Sequence, residues 1–356
     1  MRVVKIYFSP TGNTKKIVDA VALGMEGGEV NSVGIGDVKG REGKEGKEDR
    51  EGREVSIDYD ITLPQKREEF KYSAQAGDIV IVGMPVYAGR IPNLLLPFVK
   101  SICAGANLHN KMVKAIPIVT YGGRNYDDAL IELADILDGN GFDIVAAGAF
   151  IAEHSFSSKI CNSLPDNDSL SFAAKLGRIA IGKGEECFGI SVGVGDVKGV
   201  GDVKGVGVSI GIGDVKEVGI GVSNVKGMGD REGKVNGGFE EFRRNEIFVG
   251  KQNIKGRKEE ERVYYKPRFA DGSPINMLKV KPKTKENCLK CGLCAKRCPM
   301  GSISVTDPTV ITGPCIKCNR CVRECKVRAK YFDDAGYLFH VGDLEMRIGN
   351  GYDPVK

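Results

Sequence analysis

Eight of the eleven cysteines in this 356-residue chain fall between positions 288 and 325. They form two runs of one pattern: Cys288, Cys291, Cys294 and Cys298, then Cys315, Cys318, Cys321 and Cys325. Three thiolates at two-residue gaps let a tight loop turn each sulfur inward, onto one face of a [4Fe–4S] cube. The fourth cysteine of each run follows a longer gap and opens a helical turn, so it points away from its own loop. Structural zinc also uses Cys-x2-Cys pairs, but its four ligands usually come as two separated pairs. Disulfides require an oxidising compartment, and nothing upstream resembles a secretory signal.

The doubled motif resembles that of two-cluster ferredoxins, in which the fourth cysteine of each run serves the other cluster. That resemblance implies one cluster on Cys288, Cys291, Cys294 and Cys325, and a second on Cys298, Cys315, Cys318 and Cys321. It also implies a small α+β domain over residues 279–335, with one motif in each half (279–308 and 306–335). One departure is that Pro299 follows Cys298 whereas Lys326 follows Cys325, so a stiffened turn is lost on one side. The chain carries a net charge of +5. Between Lys279 and Lys330 thirteen Lys and Arg stand against three acids, Glu286, Asp307 and Glu324, a local excess of ten. That excess either offsets the negative charge of the clusters or docks a redox partner protein with an acidic face. No helix-turn-helix, OB or RRM pattern accompanies it, so nucleic acid is not an expected partner.

A second candidate site lies at the other end of the chain. Ser9-Pro10-Thr11-Gly12-Asn13-Thr14 follows a short apolar run and leads into a helical pattern. Free N–H groups and the positive end of a helix dipole suit a phosphate there. Hydroxyl donors without a lysine suit a monoester; the Walker pattern is absent. An ordinary Ser/Thr/Asn helix cap explains the same residues.

The elements that position this loop read as alternating strands and helices. Strands are expected at residues 3–8, 55–61, 78–84, 114–120 and 143–151, and helices at 13–25, 92–102, 126–138 and 169–181. The run at 78–84 is continuously apolar, as in a strand buried on both faces. Five strands alternating with helices predict an α/β fold with a parallel sheet covered on both sides.

Ser-x-Thr-Gly-Asn-Thr after the first strand resembles the FMN phosphate loop of flavodoxins. Pro85, Val86, Tyr87, Ala88 and Gly89 follow the third strand, and Thr120, Tyr121, Gly122, Gly123 and Tyr126 follow the fourth. Flavodoxins place their two ring-binding loops there. The resemblance implies a doubly wound sheet of order 2-1-3-4-5, with FMN held by Ser9, Thr11, Gly12, Asn13 and Thr14 and by the two later loops. The chain has no tryptophan, so Tyr87 and Tyr121 or Tyr126 are the candidates to stack on the flavin; packing is their alternative role. The whole chain is similar to cytoplasmic flavodoxin–ferredoxin fusion proteins of anaerobes, over residues 1–26, 55–188 and 260–345. Pro-Val-Tyr-Ala-Gly-Arg-Ile-Pro, Ala-Glu-His-Ser-Phe at 152–156 and the doubled cysteine motif carry that likeness.

Residues 1–188 are therefore expected to form the FMN domain and 336–356 a tail. Two low-complexity stretches interrupt the pattern, at 27–54 and 189–250. They share Gly-Asp-Val-Lys (from Gly36, Gly195, Gly201 and Gly213) and Asp-Arg-Glu-Gly (from Asp49 and Asp230). Their glycine density and few large apolar residues predict an inserted loop and a linker, with a stacked β-solenoid as the rival. His154 is expected to bond a backbone carbonyl or to tune the flavin; His109 and His340 have no motif. Cys103, Cys161 and Cys187 read as packing residues. Arg90 and Arg124 read as solvated loop charges or as anion contacts.

No apolar run is long enough to cross a membrane, and cluster cysteines need a reducing compartment, so the cytoplasm is the expected location. The function expected is electron transfer through two [4Fe–4S] clusters coupled to FMN, a carrier rather than a substrate-specific enzyme. An FMN-dependent NAD(P)H or quinone oxidoreductase and a non-catalytic redox sensor are the alternatives.

Overall fold

The computed structural model describes residues 2–28, 30, 56–105, 112–182 and 245–349. Nearly all of both repeat stretches, together with His109 and Cys187, lies outside the described residues.

A seven-stranded sheet forms the first half. Its strands are β1 (Val3–Tyr7), β2 (Ile57–Asp60), β3 (Ile79–Pro85), β4 (Lys114–Tyr121), β5 (Asp143–Ile144), β6 (Ala146–Ile151) and β7 (Glu246–Val249). The order is β2-β1-β3-β4-β6-β7, with β5 also on β4. Every pairing is parallel except β6 with β7. The expected order 2-1-3-4-5 is thus present, with two differences. The fifth strand is interrupted: β5 pairs Lys114 with Asp143, whereas β6 pairs Ile118 with Gly148, so one extra residue bulges at Val145. The strand β7 is the second difference, because it falls within the stretch expected to be a linker. Ile247 and Phe248 give it enough apolar surface to cover the edge of β6.

Alternating side chains divide the core into two layers. Val4, Ile6 and Phe8 face one layer with Leu130, Leu133 and Leu137 of α4 (Ala129–Gly139) and Val99 of α3 (Leu96–Ser101). Val3 and Tyr7 face the other, under α1 (Asn13–Met25) and α5 (Asn167–Ala180). The helix expected at 92–102 begins as a 3-10 turn, Asn93–Leu95, because Pro92 and Pro97 limit regular bonding there. A short α2 (Pro64–Glu68) follows β2 and was not expected.

The cysteine-rich half is an internal repeat with a shift of 27 positions, the distance from Cys288 to Cys315. The left-handed residues repeat: Lys290 (φ 50°) and Lys317 (56°), Gly292 (73°) and Asn319 (57°), Gly301 (62°) and Arg328 (51°). So do α6 (Leu293–Lys296) and α7 (Arg320–Arg323). β8 (Lys283–Thr284) pairs with β9 (Lys330–Tyr331) antiparallel, Thr284 opposite Lys330, and the bridge from Ile303 to Ile311 is the same pairing moved by one repeat. This is a small α+β unit with a pseudo-two-fold axis.

The C-terminal stretch is not a loose tail up to its last described residue. Asp334 caps α8 (Ala335–Leu344) by accepting from Tyr337 N–H at 2.9 Å, and a π-helical turn, Glu345–Gly349, extends it. Tyr337 stacks on Phe332 at 4.6 Å between centroids, and Leu344 and Ile348 pack on Ile160.

Candidate redox sites at the carboxyl ends of the strands

Gly12 enters α1 with φ 88° and brings no capping side chain of its own, and a helix N-terminus of this kind suits a phosphate. Ser9 Oγ accepts from Lys15 N–H at 3.0 Å, and Thr62 Oγ1 accepts from Ser9 N–H at 2.9 Å, which fixes the loop shape. Thr14 Oγ1 lies 2.7 Å from Thr120 Oγ1, joining this loop to the end of β4. Thr11 and Gly12 remain partly accessible, while Ser9, Asn13 and Thr14 are buried.

The loop after β3 is a tight hairpin. Tyr87 N–H donates to Arg90 O at 2.8 Å, with Ala88 (φ 53°) and Gly89 (φ 78°) both left-handed between them. A Cβ at Gly89 would overlap Asp127, so the position also needs a glycine for space. Pro85, Val86 and Tyr87 are partly exposed beside Thr120, whose carbonyl accepts from Val86 N–H at 2.8 Å. In the loop after β4, Tyr121 and Tyr126 meet at 5.5 Å between centroids, and Tyr126 bonds Glu246 of β7 through its hydroxyl. Burial and Glu246 together raise the Tyr126 phenol pKa. A Cβ at Gly122 or at Gly123 would overlap His154 or Cys161 respectively. The three expected loops therefore converge, and the α1 N-terminus with the partly exposed Thr11, Gly12, Val86 and Gly122 fits a phosphate-bearing planar cofactor.

The arginines of these loops are held in ion pairs rather than left as free loop charges. Arg90 pairs with buried Glu132 and donates to Arg262 O at 3.0 Å; Arg124 pairs with Asp127 and stacks on Tyr265 at 4.3 Å. Residues 251–265, which sequence reasoning left without a role, strap these loops to α4. Lys251 pairs with Asp135 and Asp138, Arg257 with Asp128, and Arg262 with Asp135. Tyr264 Oη donates to Ile91 O at 3.2 Å and Tyr265 N–H to Ala88 O at 2.8 Å. The adjacent tyrosines were the available signal.

His154 does not donate to a carbonyl as expected: its Nδ1 accepts from Phe156 N–H at 3.1 Å. Burial, then His340, Arg323 and Arg124, lower its pKa to about 3, so the ring is neutral. Cys161 packs as expected, but Cys103 is exposed.

Cys298, Cys315, Cys318 and Cys321 line one cavity with Pro299, Ile316 and Phe332. Cys298 thus leaves its own loop and joins the trio of the other. Burial raises the thiols of Cys315, Cys318 (to about 12) and Cys321, and in each the nearby Cys298 adds to the rise. Ser302 N–H donates to Cys298 Sγ at 3.4 Å, and in the equivalent place Ala329 N–H donates to Cys325 Sγ at 3.2 Å. The 27-residue repeat makes Cys325 the counterpart of Cys298. Among the described residues no three Cys, His, Asp or Glu side chains converge tightly enough for one metal ion. The four cysteines instead line one small cavity, and a set of four thiols is the donor chemistry of an iron–sulfur cube.

The cysteine unit docks on the sheet at these loops. Ile316 packs into the same core layer as Val86 and Tyr87. Burial, then Cys318 and Cys315, push the Tyr87 phenol far up. Arg67 Nη2 donates to Pro299 O at 2.8 Å, and Arg323 pairs with Glu153.

Residues 1–157 match the family described as NADPH-dependent FMN reductase. That is less than half of the chain. Among solved structures, a flavodoxin from the domain Archaea is 15% identical, with a TM-score of 0.30, over 52% of this chain and 98% of its own. The flavodoxin of Streptococcus pneumoniae TIGR4 is 16% identical (TM-score 0.28, 49% and 97%). The azoreductase of Bacillus anthracis str. Sterne is 12% identical (0.29, 52% and 99%). No curated protein sequence matches. The strand order β2-β1-β3-β4-β6 is itself that of a flavodoxin-like sheet. Among the described residues no helix is long and apolar enough to cross a membrane.

Proposed function

We propose that this chain transfers electrons between an FMN in the sheet domain and two [4Fe–4S] clusters in the cysteine unit. The observation that carries this reading is the contact of the two candidate sites: the Cys315–Cys318 loop inserts Ile316 into the core layer that holds Tyr87. When bound, FMN exchanges two electrons or one, and each cluster passes one. The chain's own residues set the arrangement. Ser9 and Thr62 shape the phosphate loop, the Tyr87–Arg90 hairpin borders the ring site, and Arg67 and Arg323 hold the cysteine unit against it. The buried Cys318 loop keeps water from the cavity nearest the flavin loops.

Anaerobic reconstitution with iron, sulfide and FMN tests this. The expected result is about eight irons and one flavin per chain, with EPR signals of reduced cubes. Protein that takes up zinc at the same cysteines, or well under eight irons, overturns the reading. The likeness of residues 1–157 to NADPH-dependent FMN reductases favours a second reading, a flavin reductase that draws on a nicotinamide. Rapid bleaching of bound FMN by NADPH supports it, and an unchanged flavin spectrum rejects it.

A further inference from the structure

The internal repeat pairs every surface of the second cysteine loop with a counterpart on the first. The second loop is covered. Ile316 packs into the core layer of the sheet domain, and Lys317, Cys318 and Asn319 are buried. At the end of the next helical turn, Arg323 pairs with Glu153 and donates to the carbonyls of His154 and Ser155. Moving back by 27 positions gives Leu289, Lys290, Cys291 and Gly292, followed by Lys296. These residues have the same backbone conformation, yet no described residue covers them. Leu289 is 72% exposed, and Lys290, Cys291 and Lys296 are exposed.

We propose that the Leu289–Lys296 face is the docking surface for a separate redox protein with an acidic, partly apolar face, and that it repeats the contact Ile316 and Arg323 make within the chain. This inference rests on the reading of the cysteine unit as an electron-transfer module. Leu289 takes the place of Ile316 as the apolar knob, and Lys296 takes the place of Arg323 as the cation facing a carboxylate. The charge around the patch has the right sign. Lys285, Lys290, Lys296, Arg297, Lys326 and Arg328 are exposed there against Glu286 and two partly exposed acids, Asp307 near Lys290 and Glu324 paired with Arg297. An apolar centre ringed by one sign of charge gives both contact and steering. The cluster on Cys288, Cys291, Cys294 and Cys325 is then the outer one, next to the partner, and the cluster on the cavity of Cys298, Cys315, Cys318 and Cys321 the inner one.

The test uses the full chain, reconstituted anaerobically and assayed for iron. It is titrated by calorimetry with an acidic plant-type ferredoxin as probe and with basic cytochrome c as control, at low and moderate salt. The expected result is binding of the ferredoxin that weakens with salt, and no binding of cytochrome c. Leu289→Asp and Lys296→Glu should each weaken ferredoxin binding roughly tenfold or more with iron content unchanged. Lys71→Glu, an equal charge change on the sheet domain, should leave it as it was. Equal affinity in wild type, Leu289→Asp and Lys296→Glu overturns the docking face, as does wild type that ignores the ferredoxin or prefers cytochrome c. An iron content well under eight in the wild type instead overturns the cluster reading itself.

Discussion

Arg67 donates through Nη2 to the carbonyl of Pro299 at 2.8 Å, and through Nη1 to Ile61 O and Thr62 O at 2.8 and 2.9 Å. One guanidinium thus ties the end of β2 to the residue after Cys298. Burial lowers its pKa, yet it remains charged at neutral pH. Arg67→Ala removes three charge-assisted bonds and should cost about 2–3 kcal/mol in urea unfolding. Limited proteolysis should then cleave between the sheet and the cysteine unit. Arg67→Lys, a point charge without the fork, should recover only part.

Arg90 and Glu132 form a pair that is 16% and 4% exposed, and Glu132 also accepts from Ile91 N–H at 3.2 Å. Breaking such a pair on one side strands a charge. Glu132→Gln should destabilise by about 3 kcal/mol and loosen the Tyr87–Arg90 hairpin, seen as weaker FMN retention on dialysis. Arg90→Met with Glu132→Leu should be less harmful than either single change; an additive loss would show that the pair is not the source of the effect.

The sheet order was legible because apolar runs at fixed intervals alternate with helical patterns, and the loops were legible because Gly12, Gly89 and Gly123 mark left-handed turns. Cys298 lines one cavity with Cys315, Cys318 and Cys321, a grouping that the ferredoxin resemblance implied. What was hidden depends on distant partners. Arg90 and Arg124 look like loop charges until Glu132 and Asp127 are brought to them by folding. The strand β7 is a four-residue segment at the edge of a glycine-rich stretch, too short to declare itself by periodicity. The helix α8 was read as tail because its apolar residues find distant partners only on folding: Tyr337 meets Val280 and Phe332, and Leu344 and Ile348 meet Ile160 across the domain contact.

His154 is one buried group that should make that contact sensitive to acid. Its imidazole titrates near 6.5 when unfolded and at about 3 when folded. Between those values the unfolded chain binds the proton and the folded chain does not. Stability from this group is therefore complete above about pH 6.5 and is lost as pH falls toward 3. Urea midpoints should drop across that interval, and His154→Gln should flatten the drop. An unchanged pH profile in the variant would assign the acid loss to other groups.

Gly24 and Gly177 let α1 and α5 touch backbone to backbone. A Cβ at Gly24 would overlap the carbonyl of Ala174, and one at Gly177 the carbonyl of Val21. Neither obstacle is a side chain that can swing away. Gly24→Ala should destabilise by about 1–3 kcal/mol despite the better helix propensity of alanine. A melting temperature equal to or above wild type would mean that the helices separate at no cost.

Ligand pairing can be read from how iron losses combine. If Cys298 belongs with Cys315, Cys318 and Cys321, then Cys298→Ser and Cys321→Ser damage the same cube. Each should cost about four irons per chain, and the double variant should lose no more than either single one. Cys298→Ser with Cys294→Ser strikes both cubes and should lose about eight. Loops that kept their own fourth cysteine would give the reverse result: Cys298 and Cys294 redundant, Cys298 and Cys321 additive. The cavity gathers Cys298 with the second trio, so the first pattern is expected. Iron analysis of the four variants beside EPR of the reduced proteins decides between them.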